Sequence, residues 1–245
     1  MKGIILAGEQ DDRLHPLTLG VPKQLLPIYN KPMIFYPIET LVEVGVTEIL
    51  IITSPKHTSA FKRTLGDGSR FGAHFSFATQ MSPEGIAQAF MIGEDFLAQE
   101  SVCFITGDCI IIGEDRSAKL SKAIRAAKNS GQSTIFVCQD FDPNQYGVAK
   151  LDSNGKCMQV EGKMAGREHY SIIGLYVFPK GVAEYAKVID KSERGRFEVT
   201  SINQQYLINK KLQVQILGSN YKWFDTNTFD SLITVSNYIQ KLTKK

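Results

Sequence analysis

The sequence predicts an α/β fold, in which a single domain is built on a mixed, mostly parallel β-sheet flanked by helices. Short apolar runs alternate along the chain with segments of helical periodicity, which is the pattern of βαβ units. The 245 residues suffice for one large domain of this kind. Their sequence contains no linker, low-complexity tract or internal repeat that would divide them. The expected arrangement is therefore Rossmann-like.

The N-terminal half predicts five strands, each a short apolar run: Lys2–Ala7, Glu48–Thr53, Phe75–Thr79, Val102–Thr106 and Ser133–Cys138. Segments with apolar residues at helical spacing separate these strands. They predict four helices: Pro32–Val44, a helix from Ser59, Pro83–Leu97 and a helix near Lys119–Asn129. Gly45 is expected to end the first of them.

The C-terminal half is more mixed. It predicts five strands: Val148–Leu151, Cys157–Glu161, Ser171–Val177, Leu212–Leu217 and Lys222–Phe224. It also predicts three helices: Gly181–Ile189, Val199–Asn209 and Phe229–Leu242. The turn sequence Asp152-Ser153-Asn154-Gly155 joins the first two strands. We expect one domain over residues 1–245, with halves of about 1–140 and 141–245.

Composition excludes several classes of protein. The chain has 28 Lys+Arg against 25 Asp+Glu, a balance that gives no support to a nucleic-acid-binding module. It contains no run of 18 apolar residues that would predict a membrane span. Its first apolar stretch is too short for a signal peptide. We therefore expect a cytoplasmic protein that binds neither nucleic acid nor a membrane.

The four cysteines show no Cys-x-x-Cys spacing, and the four histidines are scattered. This pattern favours neither a structural zinc site nor a disulfide framework. We expect reduced, mostly buried thiols.

The segments that follow the first strand carry candidate phosphate-binding residues. In an open α/β sheet, ligands bind beyond the carboxyl ends of the strands, and the loop that starts at Gly8 begins at such an end. Arg13 in this loop and Lys23 further on could supply positive charge to a phosphate. The alternative is that both are solvated surface charges.

Two carboxylates lie at the ends of strands. Asp108 follows the strand Val102–Thr106, and Asp225 follows Lys222–Phe224. Such a pair could hold Mg²⁺, which proteins usually bind through one or two carboxylates together with substrate phosphates. The alternative is that both are turn or capping residues. Their combination with the preceding loop favours the ion site.

At this point the residues resemble a known family, the sugar-1-phosphate nucleotidyltransferases, and within it the thymidylyltransferases that act on glucose 1-phosphate. The matching motifs occur in the same order over nearly the whole chain: Met1–Gly8, Lys23–Pro27, Lys31–Ile34, Leu65–Ser69, Gly85–Ala89, Gly107-Asp108, Tyr146–Val148, Arg194-Gly195 and Trp223–Thr226. The chain resembles the short form of the family, which lacks an additional C-terminal helical segment.

The resemblance implies a single displacement in which a sugar 1-phosphate attacks the α-phosphorus of a nucleoside triphosphate, dTTP, and pyrophosphate leaves. It implies that Mg²⁺ is held by Asp108 and Asp225. Arg13 would contact the leaving pyrophosphate, and Lys23 would lie near the transferred phosphate.

The remaining site residues are likewise implied by the resemblance. Gly8 belongs to the nucleotide loop, and Gln80 and Gly85 match positions that read the base. Tyr146 and Gly147 match sugar contacts, while Lys163 and Arg194 match contacts to the sugar phosphate. A homo-oligomer is also implied.

The sequence departs from the family in the first loop. The family's Gly-Gly-x-Gly-Thr-Arg is Gly8-Glu9-Gln10-Asp11-Asp12-Arg13 here. Glycines allow backbone N–H groups to close around phosphate oxygens, and side chains obstruct that approach. Three carboxylates beside a triphosphate also add like-charge repulsion, which costs on the order of 1 kcal/mol or more for each poorly screened pair.

Other site positions are changed as well. Gly162 replaces a glutamate that is expected to accept hydrogen bonds from sugar hydroxyls, and Cys109 and Asn227 replace an asparagine and a glycine. The family's Arg-Gly-Glu-Leu-Glu-Ile-Thr-Asp loses two acids, at Arg196 and Ser201. We therefore expect a nucleotidyltransferase with impaired activity. The alternative is an inactive paralogue that serves as a binding, regulatory or partner subunit in nucleotide-sugar metabolism.

Overall fold

The computed structural model describes residues 1–8, 12–139, 146–162 and 169–244. Its strands are β1 Lys2–Ala7, β2 Pro27–Ile28, β3 Lys31–Pro32, β4 Glu48–Thr53, β5 His74–Thr79, β6 Val102–Thr106, β7 Ile110–Ile112, β8 Ser133–Cys138, β9 Val148–Leu151, β10 Cys157–Glu161, β11 Tyr170–Phe178, β12 Leu212–Leu217 and β13 Lys222–Phe224. Its α-helices are α1 Phe35–Val42, α2 Thr58–Leu65, α3 Gln88–Ile92, α4 Glu94–Leu97, α5 Arg116–Ser130, α6 Val182–Val188, α7 Val199–Ile208 and α8 Phe229–Thr243.

The central sheet has the order β5–β4–β1–β6–β11–β8–β12. The pairs β5–β4, β4–β1, β1–β6 and β8–β12 are parallel, whereas β11 runs antiparallel to both β6 and β8. The hairpin β9–β10 joins the sheet through the first residues of β11. The sheet is thus mixed and mostly parallel, as the sequence predicts.

The register brings several strand ends to one edge of the sheet. Ala7 of β1 lies opposite Thr53 of β4, and Leu6 lies opposite Thr106 of β6. The loops that start at Gly8 and Gly107 therefore leave the sheet side by side, and Gly107 N donates to Leu6 O at 2.8 Å. Because β11 is antiparallel, its beginning lies at the same edge. This edge is where an open α/β sheet binds ligands.

Both faces of the sheet are covered by helices. Successive residues of β1 alternate between two cores, with Ile5 and Ala7 in one and Ile4 and Leu6 in the other. The first core takes apolar residues from α1, α2 and α5, and the second takes them from α3, α6 and α7. All four cysteines are buried, which agrees with the expectation of buried thiols. In the described part of the chain, no helix is both long and apolar enough to cross a membrane.

Helix α8 packs over a third, smaller cluster that it shares with the β2–β3 hairpin: Ile28, Met33, Tyr36, Ile110, Val235 and Ile239. Its first turn is closed by a capping box, because Thr228 Oγ1 accepts from Ser231 N at 3.1 Å and Ser231 Oγ accepts from Thr228 N at 3.0 Å. The capped helix follows directly on the segment that carries Asp225 and Asn227.

Several elements differ from the sequence prediction, and among them the short strands β2 and β3 were not predicted. The segment Pro83–Leu97 is not one helix but two short ones, α3 and α4, preceded by an irregular stretch around Gly85. Helix α1 begins at Phe35, because Lys31 and Pro32 pair with the β2 strand instead. Strand β7 was not predicted, and it pairs with β13, which is distant in sequence.

Candidate active site

A cleft of about 250 Å³ opens at the carboxyl edge of the sheet. It is lined by six of the residues that the sequence singles out: Arg13, Asp108, Tyr146, Gly147, Arg194 and Asp225. They come from the loop after β1, the turn after β6, the segment before β9, the loop before α7 and the end of β13. The fold therefore brings together residues that are far apart in the sequence.

Lys23 lies beside this cleft in the 3₁₀ turn Lys23–Leu25. Its side chain is only 3% exposed, and its Nζ donates to Asp108 Oδ2 at 2.7 Å and to the amide oxygen Asn227 Oδ1. Burial by itself opposes ionisation of Asp108, but the Lys23 ammonium and further hydrogen bonds outweigh it and hold the pKa of this carboxyl below its usual value. Asp108 is thus a carboxylate in the folded protein at neutral pH.

Asp225 lines the same cleft as Asp108, and both carboxylates act on the Tyr146 hydroxyl. The pKa of Tyr146 is raised by burial, then by the charge and hydrogen bond of Asp225, and to a smaller extent by the charge of Asp108. Asp225 Oδ1 also accepts from Asn227 N at 2.9 Å, which fixes the turn after β13. The Tyr146 ring packs edge-on against Trp223, with centroids 4.7 Å apart.

The oxygen atoms at this point form a donor set of the kind that Mg²⁺ prefers. Two carboxylates, Asp108 and Asp225, line the same cleft, and the amide oxygen of Asn227 is close to the first. No group of three or more His, Cys, Asp or Glu residues that could hold a metal ion occurs in the described ranges. The set therefore fits a cation that takes its remaining ligands from phosphates and water, and not an all-protein cage.

A smaller cavity of about 120 Å³ adjoins the cleft, and it contains Gln80 and Gly85. Gln80 is 3% exposed, and its Nε2 donates to Gln88 Oε1 at 2.7 Å. Gln88 Nε2 in turn donates to Glu84 Oε2 at 3.1 Å, so a chain of hydrogen bonds orients the Gln80 amide. Gly8 lies against this amide, since a Cβ at that position would be 2.9 Å from Gln80 Oε1.

Gly85 joins this cavity to the segment that precedes α7. Its φ of +106° lies in the region that favours glycine, and a Cβ there would be 2.4 Å from Phe197 O. The neighbouring residues bond to the same segment, as Phe197 N donates to Glu84 O at 2.7 Å and Ala87 N donates to Phe197 O at 3.1 Å. The two segments are therefore held in close backbone contact.

The far end of the cleft is lined by Gly147, Gly162 and Arg194. Arg194 Nη2 donates to Glu198 Oε1 at 3.0 Å, and Ser192 Oγ donates to the same oxygen at 3.1 Å. Of the residues that the structure describes, a Cβ built at Gly162 would meet only Arg194, at 3.8 Å from its Nη2. Position 162 is thus open towards the cleft.

Some predicted residues lie outside the described ranges: Lys163, and Glu9 and Asp11 of the acidic loop. Asp12 is described, and its Oδ1 lies 3.3 Å from Nε2 of His15. The structure thus describes one of the three carboxylates that replace the family's loop residues.

Two residues of the site escape prediction from the sequence. In the sequence, Asn227 and Arg196 are recognised only as departures from the family pattern, and nothing indicates which residues they contact. In the structure Asn227 accepts from Lys23, and Arg196 lines both cavities. The contact between Lys23 and Asn227 joins residues 204 positions apart, so no local sequence signal could have indicated it.

Comparison with known proteins identifies the family. The family model described as "Nucleotidyl transferase" matches residues 2–242. Glucose-1-phosphate thymidylyltransferase of Mycolicibacterium smegmatis is 42% identical over 99% of this chain and 83% of its own length. The protein of the same name from Neisseria gonorrhoeae is 44% identical over 98% of this chain and 83% of its own length.

Solved structures agree with this family. A Bacillus anthracis protein assigned as a glucose-1-phosphate thymidylyltransferase, solved with a sucrose, superposes with a TM-score of 0.88 at 31% identity, covering 97% of this chain and 94% of that one. A UDP-glucose pyrophosphorylase with UDP-glucose has a TM-score of 0.83 at 20% identity over 98% of each chain, a similarity of fold alone. The chain belongs to the nucleotidyl transferase family.

Proposed function

We propose that this protein transfers a thymidylyl group from dTTP to glucose 1-phosphate, forming dTDP-glucose and pyrophosphate, at a rate lowered by its acidic loop and by Gly162. The observation that carries the proposal is the pair of carboxylates Asp108 and Asp225 in one cleft, with Lys23 bonded to the first of them. The names of the relatives at 42% and 44% identity support the choice of substrates.

The reaction needs positioning and charge neutralisation, with no covalent enzyme intermediate. A phosphate oxygen of glucose 1-phosphate forms a bond to the α-phosphorus of dTTP. The bond from that phosphorus to the bridging oxygen breaks, and its electron pair leaves with pyrophosphate. Bound Mg²⁺, held by Asp108 and Asp225, would supply charge neutralisation at the phosphates.

The cations around the cleft have distinct roles in this proposal. Arg13 stabilises the negative charge that develops on pyrophosphate, and Lys23 lies next to the transferred phosphoryl group. Arg194 binds the phosphate of the sugar substrate, and Lys163 assists it. Glu198, which also accepts from Ser192 Oγ, holds Arg194 through one hydrogen bond, so the guanidinium loses less conformational freedom when it binds the substrate.

The smaller cavity would take the base. The Gln80 amide is oriented by Gln88 before any ligand binds, which suits it to the hydrogen-bonding edge of thymine. Gly8 and Gly85 allow the backbone to approach closely. On the sugar side, Tyr146 and Gly147 would contact the hexose. The family's glutamate would accept hydrogen bonds from the sugar hydroxyls, and Gly162 has no carboxylate to do so.

The test is release of pyrophosphate from dTTP, glucose 1-phosphate and Mg²⁺ by the purified chain. We expect slow release, and a large increase when the loop and sugar positions are restored by Glu9→Gly, Asp11→Gly, Asp12→Thr and Gly162→Glu together. Asp225→Asn in the restored protein is the control and should abolish release. If neither protein releases pyrophosphate with several nucleotide and sugar-phosphate pairs, the proposal fails.

One observation favours a second candidate, a non-catalytic subunit that keeps the fold. Lys23 Nζ is engaged at the same time by Asp108 and by Asn227, where the family pattern has glycine. An ammonium held by two protein oxygens is less available to a phosphate. In this case the unmodified protein should release no pyrophosphate, and Asn227→Gly in the restored loop background should create turnover by freeing Lys23. The first candidate predicts instead that the unmodified protein already releases pyrophosphate slowly.

A further inference from the structure

The base cavity and the main cleft share part of their walls. Three residues line both of them: Ile86, Arg196 and Glu198. The first is apolar and the third is acidic, so Arg196 brings a positive charge to the junction.

The backbone that carries Arg196 is fixed on both sides. Before it, Gly195 N donates to Ser192 O at 2.7 Å, and Ser192 N donates to Arg196 O at 2.9 Å, which closes a tight turn. After it, Phe197 exchanges hydrogen bonds with Glu84 and Ala87. The Cα of Arg196 therefore has a defined place at the junction, although its side chain is exposed.

The acidic residue at the junction is engaged elsewhere in the structure. Glu198 Oε1 accepts from both Ser192 Oγ and Arg194 Nη2. Its negative charge is therefore balanced by Arg194, towards the sugar end of the cleft. The junction thus presents a guanidinium next to a carboxylate that already has a cationic partner.

Transfer of a nucleotidyl group places one phosphorus between these two cavities. In this proposal the base occupies one cavity and the sugar phosphate occupies the other. The α-phosphoryl group is bonded to the deoxyribose of the nucleotide and becomes bonded to the sugar phosphate, so it lies between the two cavities. Thymine and deoxyribose are uncharged, whereas the α-phosphate is an anion, and a guanidinium binds phosphate oxygens through paired N–H donors.

We infer that Arg196 binds the α-phosphate of the nucleotide. The inference rests on the proposed function, because it uses that assignment of the two cavities. The family pattern has a glutamate at this position, so the arginine is a feature of this chain. It adds positive charge at the transferred phosphoryl group.

The test measures binding of dTMP and of thymidine by calorimetry in the presence of EDTA, which removes any contribution of a metal ion. The Arg196→Ala variant should bind dTMP about 10- to 100-fold more weakly, as expected for the loss of a charge-assisted contact. It should bind thymidine within about 2-fold of the unmodified protein, since thymidine lacks the phosphate. Arg196→Lys should keep part of the preference for dTMP.

Arg125→Ala is the matched control, because Arg125 is also an exposed arginine but lies on α5, outside both cavities. It should leave both affinities unchanged. The inference is overturned if the unmodified protein shows no preference for dTMP over thymidine, if it binds neither, or if the Arg196→Ala variant keeps the preference. These readouts need no turnover, so a chain that prefers dTMP through Arg196 but releases no pyrophosphate would contradict the proposed function alone.

Discussion

The Nζ atom of Lys23 lies 2.7 Å from Oδ2 of Asp108, and this contact joins a 3₁₀ turn to the turn after β6 across 85 residues of sequence. The lysine side chain is 3% exposed and the aspartate side chain 25% exposed. Removing one residue of such an ion pair destabilises the fold, because the remaining charge stays largely buried without a partner. The pair therefore affects both folding and the charge of the cleft.

Replacing Lys23 by methionine should lower the free energy of unfolding by about 1–3 kcal/mol, less than for a fully buried pair because Asp108 keeps some contact with water. Urea denaturation at neutral pH measures the loss. The double variant Lys23→Met/Asp108→Asn should recover part of it, since no unpaired charge then remains. If the two single losses simply add in the double variant, the two groups do not interact.

The same pair should make stability depend on pH in the acid range. The pKa of Asp108 is lower in the folded protein than its unfolded value of about 3.9. Its contribution is therefore fully present above about pH 4 and is lost as the pH falls through the folded pKa. The difference in unfolding free energy between the unmodified protein and Asp108→Asn should shrink as denaturation is repeated from pH 6 down to pH 3. In the Lys23→Met background this pH dependence should weaken, and an unchanged dependence there would refute the assignment to the pair.

Gly85→Ala should destabilise the protein more than an ordinary glycine substitution in a turn. Alanine at a φ of +106° is strained, at a cost of about 1–3 kcal/mol, and its Cβ would also lie 2.4 Å from Phe197 O. Gly45→Ala is the matched control, because Gly45 has a φ of +76° and no heavy atom of the described residues lies within 4 Å of the added Cβ. We expect the loss in unfolding free energy to be larger for Gly85→Ala, and dTTP affinity to fall in that variant alone. Equal losses would mean that the contact with Phe197 contributes nothing.

Gly162→Glu should be tolerated by the fold and should improve use of the sugar substrate. Among the described residues, the added Cβ would meet only Arg194 Nη2, at 3.8 Å, so the change in unfolding free energy should stay within about 0.5 kcal/mol. The new carboxylate can accept hydrogen bonds from sugar hydroxyls, and we therefore expect a lower KM for glucose 1-phosphate. Gly162→Gln adds the same bulk without the charge and separates the two effects. An unchanged KM in both variants would show that this position does not contact the sugar.

The sequence predicts the strands of the sheet more accurately than its irregular segments. The bounds of β1, β4, β6 and β8 agree with the prediction because each is a short apolar run buried in the sheet, which composition alone reveals. The prediction of one helix over Pro83–Leu97 was wrong. Its first residues are not helical, because the backbone at Gly85 is determined by contact with Phe197, over a hundred residues later. Tertiary contact overrides local periodicity there.

The residues of the candidate site were likewise predicted from the sequence only in part. Asp108 and Asp225 could be proposed from their positions after strands, and the structure places both in one cleft. Arg196 and Asn227 could not be predicted as cleft residues, because an arginine in a loop and an asparagine in a turn have ordinary local explanations. Their place depends on how the loop before α7 and the turn after β13 meet the rest of the chain, which no short window of sequence contains.

The antiparallel strand β11 has a consequence for how the chain folds as it is synthesised. Strand β11 separates β6 from β8 in the sheet, although both precede it in the chain. While a ribosome has made only the first 139 residues, β6 and β8 each have an edge whose final partner has not yet emerged. Open, apolar strand edges are the sites at which nascent chains associate wrongly. Until Phe178 has been synthesised, the edges of β6 and β8 that pair with β11 are therefore open to such wrong association.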